Sequence, residues 1–95
     1  MATIIGQIKG PFLPSENIAD KINPNARHYT KIGIEIGEKD FFTYQSDFIF
    51  FINGQEIHMG RTQKYELDED IYLSSLIFKD GAPASVIVDY AIVEL

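Results

Sequence analysis

A chain that places Asn53-Gly54 directly after the apolar run Phe48-Ile49-Phe50-Phe51-Ile52 has little choice there but a β-hairpin. Asn and Gly tolerate the positive φ angles of a type I′ turn, and the twist of that turn matches the strands it joins. Gln55 to Met59 is then the returning strand. The run before the turn is apolar on both faces, which predicts a central strand or one at an interface.

The surroundings extend this antiparallel reading. Tyr29 to Ile36 alternates, with Ile32, Ile34 and Ile36 on one face and Lys31, Gly33 and Glu35 on the other. A period of two is the mark of a half-buried strand. Thr3 to Lys9 reads as a strand whose apolar content is Ile4, Ile5 and Ile8, ended by Gly10-Pro11. Gly37 to Asp40 is a turn, and Phe41 to Tyr44 is expected to pair back as a strand before a second turn at Gln45 to Asp47. Tyr65 and Leu67 form a short strand that leads into Asp68-Glu69-Asp70, and Tyr72 to Phe78 continues the pattern. A turn at Asp80-Gly81-Ala82-Pro83 precedes the last strand, Ser85 to Leu95. There Val86, Val88, Tyr90 and Ile92 face one way, with Ile87, Ala91 and Val93 facing the other. Apolar residues on both faces predict cover on both sides.

Between the first strand and Tyr29 the period is lost. Residues 11–27 hold three of the chain's four prolines and read as a long loop or arm. Ser15 is placed to cap a short helix through Ile18 and Ile22, which Asn23-Pro24 would stop. Turn signals at intervals of roughly 8–12 residues predict an all-β domain, a small antiparallel β-sandwich or partly open barrel. One such domain spans residues 1–95.

Size and composition bound what this domain does. A chain of 95 residues buries roughly 60–65% of the surface its unfolded form exposes. Its hydrophobic content of 45% is a heavy load for so small a body. There is no cysteine, so disulfides and cysteine-based zinc sites are excluded and oligomerisation becomes a natural source of stability. The net charge of −6, with no basic run beside an aromatic platform, argues against nucleic acid as a partner. Phe48 to Ile52 is far short of a membrane span. The amino-terminal residues lack a basic region followed by an apolar one, so synthesis in the cytoplasm without a signal peptide is expected.

Chemistry is sparse. His28 and His58 are the two histidines, each without an acid or nucleophile at supporting spacing. Ser46, Ser74, Ser75 and Ser85 supply only triads on paper, with no nucleophile elbow. Asp68-Glu69-Asp70 is the densest acidic run, but the alternating acids, central glycine and distal glutamate of a calcium loop are missing, so it reads as a solvated turn. The expectation is a chain with no enzyme activity, no cofactor and no metal. Tyr44, Tyr65, Tyr72 and Tyr90 raise an alternative, a small carbohydrate-binding module that stacks sugars on tyrosine faces. The competing reading places them at the core margin with wet hydroxyls.

One resemblance adds to this. Phe50-Phe51-Ile52-Asn53-Gly54, Tyr65-Glu66-Leu67, Leu76-Ile77-Phe78, Gly81-Ala82-Pro83 and Val86-Ile87-Val88-Asp89-Tyr90 stand in an order similar to a module of bacteriophage virion proteins. Such modules occur in tail fibres, head fibres and capsid decoration proteins. The resemblance implies a structural subunit of the virion: a capsid decoration, a head or tail fibre base, or a tail component. It implies homo-oligomeric assembly and docking on other virion proteins, with no catalytic residues carried over. The turn residues of this reading are Asn53, Gly54, Gly81 and Pro83. The candidate interface residues are Pro11, Phe12, Leu13 and Pro14 of the arm, with Phe51, Ile87 and Val93 from the doubly apolar strands.

Overall fold

The computed structural model of the chain describes residues 2–22, 29–44, 48–59, 62–67 and 71–94. In chain order its elements are β1 (Ala2–Lys9), α1 (Ala19–Ile22), β2 (Tyr29–Glu35), α2 (Glu38–Tyr44), β3 (Ile49–Ile52), β4 (Gln55–His58), β5 (Lys64–Glu66), β6 (Ile71–Tyr72), β7 (Leu76–Phe78) and β8 (Ile87–Glu94). They build two antiparallel sheets. One runs β1-β8-β2, with β5 and β6 both against the far side of β2. The other runs β4-β3-β7. This is the expected small all-β sandwich.

The central position of β8 accounts for its composition. It pairs with β1 from Ala2↔Glu94 to Lys9↔Ile87 and with β2 from Tyr29↔Val93 to Glu35↔Ile87. Val86, Val88 and Ile92 are buried toward the second sheet, while Ile87 and Ala91 on the other face are half-buried. The alternation of β2 comes out as read, with Ile32, Ile34 and Ile36 all buried.

Aromatic rings fill the space between the sheets. Phe78 stacks on Phe12 at 5.5 Å and on Phe48 at 5.6 Å between ring centres, and Phe50 leans on it at 5.7 Å. Phe50 also meets the ring of Tyr65 edge-on at 5.4 Å, a contact that joins one sheet to the other. Edge and offset contacts of this kind add to the burial term.

The Asn53-Gly54 turn has φ of 51° and 83° at its two central residues. Both positive values are those of the expected type I′ turn, and Ile52 pairs with Gln55 across it. Gly81, with φ of 78°, sits in the expected turn before Pro83.

Three expectations are corrected. Phe41 to Tyr44 is not a strand but the end of α2. Its residues favour strands by composition, yet Phe41 and Tyr44 are three apart and both pack against the core, which a helix achieves and a strand does not. Tyr72 to Phe78 is not one strand. Tyr72 ends β6 in the first sheet and Leu76 begins β7 in the second, with the buried Leu73 at the crossing. The short helix is capped by Asn17 rather than Ser15: Asn17 Oδ1 accepts from the Ala19 N–H at 3.1 Å. Of the long loop or arm expected over residues 11–27, the described part, residues 11–22, is a loop that includes the short helix α1. Phe12, Ile18, Ala19 and Ile22 are all buried in the domain's own core, because apolar residues at this spacing gain more from burial than from exposure. Residues 23–27 of the expected arm lie outside the described residues.

Candidate functional site

The described part of the proline-rich segment forms an anchored knuckle. Phe12 exchanges two backbone hydrogen bonds with Ala82, each 2.9 Å long. Its ring stacks on Phe78, and the Lys21 ammonium stands over the ring 6.0 Å from its centre. The next residues turn outward. The Glu16 N–H donates to the Leu13 carbonyl at 3.1 Å, closing a turn with Pro14 at its first corner, where a fixed φ suits it. The Leu13 N–H donates to Glu16 Oε1 at 3.2 Å, and Glu16 Oε2 pairs with Lys21 Nζ at 2.7 Å. These contacts hold the Glu16 carboxyl below its ordinary pKa, with the Lys21 hydrogen bond the larger cause and the Leu13 N–H the next. Leu13 itself is 69% exposed.

The expected interface set is therefore divided. Pro11, Leu13 and Pro14 are exposed on the knuckle, whereas Phe12 is its buried anchor at 5% exposure. This corrects the assignment of Phe12 to an outer surface. Phe51 and Ile87 are half-buried on the backs of their sheets, and Val93 pairs in register with Thr3 and Tyr29. These three stand on β3 and β8, not on the knuckle.

Exposed apolar residues among the described ones also fall outside the expected set. Ile5 on β1 is 80% exposed and Phe42 on α2 is 61% exposed. The signal for Ile5 is present in the sequence: it stands beside Ile4, and in a strand two adjacent residues point to opposite faces. Ile5 also borders a shallow groove of about 360 Å³ on the first sheet, floored by Gly33 and Ala91. Three of its charged side chains are engaged: Gln7 Nε2 donates to Asp89 Oδ1 at 2.8 Å, and Lys64 Nζ pairs with Glu66 at 3.1 Å.

The remaining candidates do not converge. Tyr44, Tyr65 and Tyr90 pack against the core, while Tyr72 is 48% exposed. They do not make one stacking platform. His58 faces Glu56 at 3.2 Å on the surface of β4. Ser85 donates its hydroxyl to Asp40 and receives the Gly37 N–H at 3.2 Å, which ties α2 to the turn before β8. His28, Ser46 and Asp68-Glu69-Asp70 lie outside the described residues. Among the described residues no three His, Asp or Glu side chains gather as a metal site would require. No protein-family model, no curated protein and no solved structure matches the chain.

Proposed function

We propose that the chain is a non-enzymatic structural subunit that works by homo-oligomeric assembly and by docking on a larger particle. A bacteriophage virion is the particle that the resemblance implies, with the chain as a capsid decoration, fibre base or tail component. The observation that carries the reading is the knuckle. Leu13 is held in solvent at 69% exposure by a segment whose neighbouring residue, Phe12, is locked into the core. A large apolar side chain on a pre-ordered support loses little conformational freedom on docking, so more of its burial counts toward affinity.

Light scattering over a wide range of protein concentration tests the reading. The expected result is a discrete species heavier than the 10.8 kDa chain. A monomer at every concentration, with no affinity for any particle, removes the structural role and favours the carbohydrate-binding alternative. Glycan titration followed by tyrosine fluorescence then tests that alternative.

A further inference from the structure

We infer that two copies of this chain pair through β1, antiparallel and with Ile5 on the twofold axis, to join their larger sheets into one. This rests on the assembly reading above and names its surface.

The sheet edges are not equivalent. A free edge offers unpaired N–H and C=O groups to any passing strand, and proteins blunt such edges with charge, shortness or cover. The edge strand β4 has exposed Gln55, Glu56 and His58. The β5 and β6 edge consists of two short strands, and β5 has exposed Lys64 and Glu66. The outer side of β7 is covered, since the Ile18 N–H donates to the Leu76 carbonyl at 2.8 Å and Asn17 Oδ1 accepts from the Leu76 N–H at 3.0 Å. By contrast β1 runs for eight residues, Ala2–Lys9, with Lys9 as its single charged side chain and no proline. No described strand lies on its other side.

The register says which groups are free. Gly10 N–H donates to the Val86 carbonyl at 2.8 Å, in line with the pairing of Ile8 with Val88 and of Lys9 with Ile87. Antiparallel pairs alternate between hydrogen-bonded and non-hydrogen-bonded. The even-numbered residues of β1 therefore bond to β8, and the backbone groups of Thr3, Ile5, Gln7 and Lys9 point outward. Ile5 combines outward backbone groups with a side chain in solvent.

A second β1 satisfies this edge when Ile5 faces Ile5. Thr3 then faces Gln7 on each side, and about six backbone hydrogen bonds form. Matching odd residues keeps the two cores on the same side of the joined sheet. The two Ile5 side chains meet, so the large apolar residue that is most exposed among the described ones gains cover. Charge agrees: the chain has a net −6, and two such copies approach with least repulsion along a strand that bears no acid.

The chain has no cysteine, so a single introduced one reports the geometry cleanly. A hydrogen-bonded antiparallel pair has Cα atoms about 5.5 Å apart, inside the range of about 4.4–6.8 Å that a disulfide bridges. Ile5→Cys should oxidise to a covalent dimer. Gln7→Cys should not, because the two positions would lie roughly 13 Å apart along the strands. Ile5→Lys places like charges opposite each other and should weaken the dimer on the order of tenfold or more, while the circular dichroism of the folded chain stays the same because the site is exposed in the single copy. If the wild type assembles and Ile5→Lys assembles equally well, the pairing is wrong and the structural role stands. If Ile5→Cys stays monomeric under oxidation, β1 does not pair with itself, and an edge open to a strand from another protein replaces the proposal. A monomeric wild type overturns both.

Discussion

Asn53 Oδ1 holds Ser74 twice, accepting its N–H at 2.7 Å and its hydroxyl at 2.9 Å. The same oxygen accepts the Ser75 N–H at 3.2 Å, and Asn53 Nδ2 donates to the Tyr72 carbonyl at 2.9 Å. The turn residue is thus also a clamp on the segment that leaves one sheet and enters the other. Asn17 closes the other side, with Nδ2 donating to the Ser74 carbonyl at 3.2 Å.

The two roles of Asn53 are separable. Asn53→Gly keeps a residue that takes positive φ and removes the clamp. Four side-chain hydrogen bonds are lost, each worth about 0.5–1.5 kcal/mol net, so a loss of about 2 kcal/mol or more is expected. Gly54→Val leaves the clamp and strains the turn. A Cβ at Gly54 meets nothing within 4 Å, so its cost is in the backbone alone, about 1–2 kcal/mol. Denaturant midpoints give the sizes. Hydrogen exchange at the Ser74 and Ser75 amides tells them apart, since only Asn53→Gly should speed it selectively. An unchanged midpoint in Asn53→Gly means the clamp contributes nothing to stability.

Glu16 predicts an acid dependence. Its folded pKa lies below the unfolded value, held there first by the Lys21 hydrogen bond and then by the Leu13 N–H. A depressed carboxyl stabilises the fold above its unfolded pKa, and that contribution is lost as pH falls through the folded value. Glu16→Gln should therefore differ most from the wild type at neutral pH. The gap in urea midpoint should close as the medium is acidified. A gap independent of pH would show that Glu16 acts by packing and not by charge.

What the sequence made legible was local physics. The turn at Asn53-Gly54 depends on two φ angles, and the strand Tyr29–Glu35 on a period of two. Both can be read from neighbours in the chain. The crossing at Leu73–Ser75 could not, because its hydrogen-bond partners are 57 residues away at Asn17 and 21 away at Asn53. Phe41 to Tyr44 misled for a related reason. Strand-prone side chains were taken into a helix by a core that needed Phe41 and Tyr44 on one side. At the site, prolines disguised Phe12: a segment without a period reads as an arm, and only the stacking on Phe78 reveals an anchor.

The acidic run Asp68-Glu69-Asp70 is expected to bind no calcium, since the ligand pattern of a calcium loop is incomplete. A ligand that binds only the folded state raises its melting temperature by mass action. The melting temperature with excess calcium and with chelator should therefore agree. A rise of several degrees that disappears in Asp68→Asn combined with Asp70→Asn would reverse this.

Phe12 and Leu13 are adjacent and should behave in opposite ways. Removing residues 11–27 would strip Phe12, Ile18, Ala19 and Ile22 from the core, so such a deletion cannot separate docking from folding. Point changes can. Phe12→Ala opens a cavity beside Phe78 and should cost about 3–5 kcal/mol. Leu13→Ser lies in solvent and should change stability by no more than about 0.5 kcal/mol. Burial of a leucine side chain at an interface is worth about 1.5–3 kcal/mol, so Leu13→Ser should weaken docking by roughly tenfold or more. Because Leu13 is not on β1, the pairing of two copies through that strand should survive. Sedimentation of wild type and variant, alone and with a candidate particle, reads both effects. Unchanged assembly beyond the dimer in Leu13→Ser would show that the knuckle is not the docking surface, and would move attention to Phe42 on α2.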